Sequence, residues 1–105
     1  GDVAESNALN KVFGDHLYKM NINSTKSMTG HLLGAAGVIE VISTILSIQH
    51  NIVPPTINHF TDDENIDPNI NFTFNKAQER VVNVAMSNTF GFGGHNACVV
   101  MRKFV

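Results

Sequence analysis

The sequence predicts an α/β fold in one small domain, and three patterns carry the prediction. A stripe of apolar residues with helical spacing lies near the start, a second helical segment is apolar almost all round, and β-forming runs follow a linker marked by two prolines. With 105 residues the chain is long enough for one domain and too short for two.

Residues 2–19 read as the first helix. Asp2 can cap it, Glu5 stands three positions on as in a capping box, and Ala4, Ala8, Leu9, Val12 and Phe13 form the stripe. Gly14 is a place where it can end early. Met20 to Thr25 is a brief strand feeding the loop Lys26–Gly30, and His31 to Gln49 is the second helix, expected to be buried on most sides. Gly34 and Gly37 flank two alanines in its first turns, so another backbone can approach there. Pro54-Pro55 then extends the chain, and Thr61 to Asn69 is an exposed acidic loop. Asn71 to Phe74 is a short extended piece, while Arg80 to Met86 and Ala97 to Phe104 are strands.

Composition bounds the partners. A net charge of -2 argues against nucleic acid and anionic membrane surfaces, and the leading apolar run, Leu32 to Ile39, is interrupted by Glu40 well before a membrane span is reached. No leader pattern is visible in the first residues, so no membrane insertion is expected. Charged residues make up only 15% of the chain against 43% hydrophobic ones, which implies that much of its surface is buried against something else. Cys98, the single cysteine, excludes an internal disulfide and suits a reducing compartment; between Ala97 and Val99 it reads as a small core residue rather than a nucleophile.

Three places could carry chemistry. The ten residues Ser87 to Asn96 between the last strands are more than a tight hairpin needs. Gly91, Gly93 and Gly94 permit positive φ, and Phe90 and Phe92 add apolar bulk; composition does not separate a binding loop from a glycine-rich turn with two core phenylalanines. His31 opens the buried helix, where the positive end of the dipole favours a neutral ring able to donate to an oxyanion, although a histidine here is more often just a cap. Lys26, taken alone, is a solvated cation. Glu40 is a lone carboxylate in an uncharged helix: either it is buried and needs a cation or donors, or it lies exposed on a polar strip with Ser43 and Thr44. It stands half a turn from His31 and about 13 Å along the axis, too far to pair with it. His16, His50, His59 and His95 lack metal-ligand spacing and read as surface or loop residues.

Lys26-Ser27-Met28-Thr29-Gly30-His31-Leu32-Leu33-Gly34-Ala35-Ala36-Gly37, then Val53-Pro54-Pro55-Thr56-Ile57-Asn58, then Ser87-Asn88-Thr89-Phe90-Gly91-Phe92-Gly93-Gly94 together resemble the C-terminal part of the β-ketoacyl-acyl-carrier-protein synthases, nearest to the type II fatty-acid condensing enzymes. The resemblance implies a thiolase-like fold, of which residues 1–105 would form the C-terminal portion of the second half, with helices packed on a mixed β-sheet. It implies decarboxylative Claisen condensation of a malonyl group with an enzyme-bound acyl group, with acyl carrier protein as the partner that brings both, a cytoplasmic homodimer as the full enzyme, and no cofactor beyond a structural monovalent cation.

By the same resemblance His31 is the second catalytic histidine and Lys26 the lysine that orders the site. Phe92, with Gly91 and Gly93, forms the gate and oxyanion hole, and Glu40, Ser87 and Asn88 surround the cation or a water. The family's nucleophilic cysteine and first histidine would precede Gly1, so these residues carry half the catalytic set. The rivals are a polyketide-type ketosynthase and a non-catalytic partner of the chain-length-factor type; Lys26, His31 and Phe92 together favour a catalyst.

Overall fold

A computed structural model describes residues 1–104, with the side chain of Phe92 outside the description. Helix α1 covers Asp2–Phe13 and continues as a 3₁₀ turn over Gly14–Lys19. Gly14 switches the path with φ 55, so the predicted helix over 2–19 is two pieces. Gly1, not Asp2, precedes the first helical residue, and its carbonyl accepts the Glu5 N–H at 3.1 Å. The 3₁₀ turn contributes Leu17, only 1% exposed.

Helix α2 is four residues, Lys26–Thr29, closed by Gly30 at φ 78. The second long helix begins later than the sequence predicts. Leu33–Ala35 is a 3₁₀ turn and α3 runs from Ala36 to His50, so His31 precedes the helix rather than opening it. Leu33 has φ 52, and a left-handed residue cannot continue an α-helix. Asn51, left-handed at φ 54, ends α3.

Leu33–His50 forms an 18-residue window of mean hydropathy 1.4, a longer apolar run than the sequence reading recognised. By length and composition it could cross a membrane. The 15-residue α3 spans about 22 Å, however, against a hydrocarbon core of about 30 Å, and it packs on strand β3.

Strands β1 (Ile52–Val53) and β2 (Gln78–Glu79) pair antiparallel, as do β3 (Val84–Phe90) and β4 (Asn96–Arg102). The predicted strands Met20–Thr25 and Asn71–Phe74 reduce to parallel bridges, Asn21 with Asn71 and Thr56 with Phe74. Strand β3 lies toward the C-terminus of the predicted Arg80–Met86 because Ser87, Asn88 and Thr89, weak strand formers, pair with Val99, Cys98 and Ala97. Only five residues, Gly91–His95, remain as the connection. The core is small: Leu17, Ala36, Ile48, Val53 and Ile70 around a fully buried Thr73. Helix α3 keeps Val38, Ile39, Ile42, Ile45 and Leu46 exposed, against the expectation of burial, because β1, β3 and β4 approach only one side of it and leave an apolar gap there. Cys98 is exposed in β4, where the sequence pattern suggests a core position, since β4 packs mainly against its partner strand β3.

Candidate active site

Lys26, His31, Glu40, Ser87, Asn88 and Gly91 line one open concavity. They reach it from three elements: the short helix α2 and the segment after it, the flank of α3, and the β3 end of the hairpin.

The side of α3 toward the hairpin carries Gly37, Val38, Val41 and Ile42, which line an open apolar gap there. Glu40, Ser43, Thr44 and Ser47 fall on another flank, facing the concavity. Both readings of Glu40 therefore meet: it lies on the polar strip, yet its side chain is 15% exposed and bonded through Oε1 to the Lys26 ammonium. A cation facing a carboxylate at partial burial strengthens the contact beyond that of a surface pair. The second carboxylate oxygen, Oε2, is buried with no hydrogen-bond partner among the described residues, and so is Oδ1 of Asn88.

Strand alternation divides the other two polar groups. Ser87 and Thr89 share with Ala97 and Val99 the hairpin face that meets α3, so the Asn88 side chain points to the opposite face. The two side chains do not converge, although both residues line the concavity.

His31 is held by a contact the sequence does not show. Its Nδ1 accepts the Leu33 N–H at 3.0 Å, which leaves Nε2 as the protonated nitrogen of the neutral ring. This, rather than a helix N-terminus, fixes the tautomer. Leu33 is itself left-handed, a conformation that costs a non-glycine residue about 1–2 kcal/mol. No sequence pattern signals a leucine at positive φ.

At the hairpin tip the roles of the glycines differ from expectation. Gly91 has an extended backbone, φ -93, and its N–H donates to the His95 carbonyl at 2.6 Å. A Cβ there would lie 3.3 Å from that oxygen, so close approach rather than positive φ calls for glycine. Positive φ falls to Gly93, at 76°, and Gly94, at 81°. The gate assigned to the side chain of Phe92 lies outside the described residues.

Comparison with known proteins gives one consistent answer. The family model described as the C-terminal domain of beta-ketoacyl synthase matches residues 1–60. The protein named 3-oxoacyl-acyl-carrier-protein synthase 2 of Coxiella burnetii is 48% identical over 97% of the chain and 24% of its own length. Its Staphylococcus aureus namesake is 47% identical over 99% and 25%. A type II polyketide ketosynthase, solved in complex with its acyl carrier protein bound to the hexaketide, superposes with a TM-score of 0.90 at 37% identity over 96% of the chain and 24% of its own. The ishigamide ketosynthase/chain length factor superposes equally well at 34% identity. The chain thus spans about a quarter of the length of the curated relatives it matches.

Proposed function

Because the chain belongs to the β-ketoacyl synthase family, we propose that its residues form the C-terminal part of an enzyme that elongates acyl chains by decarboxylative condensation. The fold is thiolase-like. Fatty-acid elongation is preferred to polyketide extension because the curated relatives named 3-oxoacyl-acyl-carrier-protein synthase 2 share more identity with the chain than the polyketide and ishigamide ketosynthase structures do.

The observation that carries this reading is the His31 ring, whose Nδ1 accepts the Leu33 N–H and so leaves Nε2–H as the donor. In the proposed reaction a malonyl thioester loses carbon dioxide by cleavage of its C–C bond, and the electron pair passes into an enolate. The His31 Nε2–H stabilises the oxygen on which that charge develops. The enolate carbon then attacks the carbonyl of an acyl group held as a thioester on a cysteine elsewhere in the full enzyme; the new C–C bond forms and the thiolate leaves. Lys26, held by its ion pair with Glu40, orders the segment that leads to the histidine.

Phe92 would admit or exclude the acyl chain, with the Gly91–His95 connection providing backbone N–H groups for the second oxyanion. The buried, unpartnered Oε2 of Glu40 fits the chemistry of a monovalent cation or a water, with the backbone of Ser87 and Asn88 lining the same concavity. Acyl carrier protein would present both substrates to a cytoplasmic homodimer.

The test is His31→Ala in the full-length enzyme. Loss of one positioned donor should lower malonyl decarboxylation and condensation on the order of 100- to 1,000-fold while acyl transfer to the cysteine continues. Decarboxylation at the wild-type rate would overturn the assignment and return His31 to a structural role.

A further inference from the structure

Helix α2 carries Lys26 but cannot set its own direction. Four residues give too few internal hydrogen bonds to offset helix nucleation, so its orientation must come from outside. The outside is the extended chain that follows Pro54-Pro55. The Asn23 amide donates to the Pro54 carbonyl at 2.8 Å, and the Ser24 N–H donates to the Thr56 hydroxyl at 2.8 Å. Ser27 completes the set. Its hydroxyl donates to the Ser24 carbonyl at 3.0 Å and accepts the Ile57 N–H at 2.9 Å, joining the turn of α2 to the extended segment through one oxygen.

The extended segment is itself fixed. The Thr56 N–H donates to the Thr73 carbonyl at 3.0 Å and its carbonyl accepts the Asn75 N–H at 2.8 Å, so α2 hangs on the best-buried polar residue of the chain.

We propose that Ser27 is a positioning residue for decarboxylation, clamping α2 onto residues 54–57 so that Lys26 meets Glu40 and His31 begins from a fixed place. The proposal rests on the catalytic reading of His31 above. Ser27 touches no reacting atom. It acts through its chain neighbour Lys26 and through Gly30, whose C-cap carries the chain directly into His31. Loss of its oxygen removes a donor and an acceptor together and leaves the Ile57 N–H without its partner. A displacement of about 1 Å at a catalytic group costs on the order of 100-fold in rate.

The experiment compares Ser27→Ala, Ser27→Thr and Thr56→Val in the full-length enzyme, with His31→Ala alongside. Acyl transfer to the cysteine, malonyl decarboxylation and thermal unfolding are each measured. Ser27→Ala should lower the decarboxylation kcat by about 10- to 100-fold with KM and acyl transfer within about twofold. Ser27→Thr, which keeps the hydroxyl, should recover most of the loss, and Thr56→Val should show a smaller loss in the same step.

If decarboxylation is unchanged in Ser27→Ala, the clamp is overturned. If acyl transfer and decarboxylation fall together with the folded fraction, the residue is merely structural and the proposal is likewise overturned; should Ser27→Ala not fold, Thr56→Val decides by the same split. Wild-type decarboxylation in His31→Ala overturns the functional reading itself, whereas loss there with none in the clamp variants overturns the clamp alone.

Discussion

Lys26 and Glu40 show how one contact changes what a residue is for. A lysine in a Ser/Thr-rich loop is ordinarily solvated, and a glutamate on a helix flank ordinarily faces water; bonded to each other at partial burial, they fix α2 against α3. Glu40→Gln would leave the Lys26 charge uncompensated and should destabilise the full enzyme by about 1–3 kcal/mol in denaturant unfolding. The double replacement Lys26→Met with Glu40→Leu should cost less than that single change, because no charge is then stranded. Tyr18 and Asp67 form another pair: the phenol donates to the Asp67 carboxylate, which raises the tyrosine above its ordinary value and, through the same bond, holds the carboxyl below its own. Stability from this bond is lost at acid pH as Asp67 protonates through its lowered folded value, and at alkaline pH as Tyr18 ionises through its raised one. Tyr18→Phe should flatten both limbs of a stability-against-pH profile, and identical profiles would discount the pair. Lys26 and His31 were legible in the sequence because their neighbours form a recognisable run, and Glu40 because it is a lone carboxylate in an otherwise uncharged helix. Leu33 was not, since its value lies in a backbone angle that its side chain disfavours.

Elements were legible where periodicity or punctuation is strong and illegible where partners decide. The body of α3 follows its apolar pattern, and its start does not, because the left-handed Leu33 breaks the helical path before Ala36. Strand β3 absorbs Ser87, Asn88 and Thr89 against their propensity, since the facing strand supplies a full ladder of partners through Ala97, Cys98 and Val99. Glycine positions divide in the same way. Gly30 sits at φ 78 with open space around its missing Cβ, so Gly30→Ala should cost about 1–2 kcal/mol through backbone strain alone. Gly91→Ala should act through a collision with the His95 carbonyl instead. Unfolding midpoints of the two variants check the first, and a loss of hairpin amide protection confined to Gly91→Ala checks the second.

The whole chain exposes 7549 Å², whereas a compact monomer of 11.5 kDa exposes about 5,800 Å². The surplus of about 1,700 Å² is the size of a substantial interface and includes the uncovered flank of α3. Low charge and high hydrophobicity announced that deficit in the sequence, while the side of the molecule on which it falls needed the packing. Produced alone, residues 1–105 should bind a hydrophobic dye and self-associate in sedimentation, and a monodisperse, cooperatively melting monomer would contradict this. The ties that hold the Lys26 segment also have a consequence in time. The Thr73 hydroxyl that grips the Ile22 carbonyl lies 51 positions further along the chain, and Ile57 lies 30 positions beyond Ser27. At about 5–20 residues added per second, the ribosome releases Ile22 roughly 3–10 s before its anchor. The loop bearing Lys26 and His31 therefore waits, unshaped, for chain not yet made, and it becomes a site only once Thr73 has emerged.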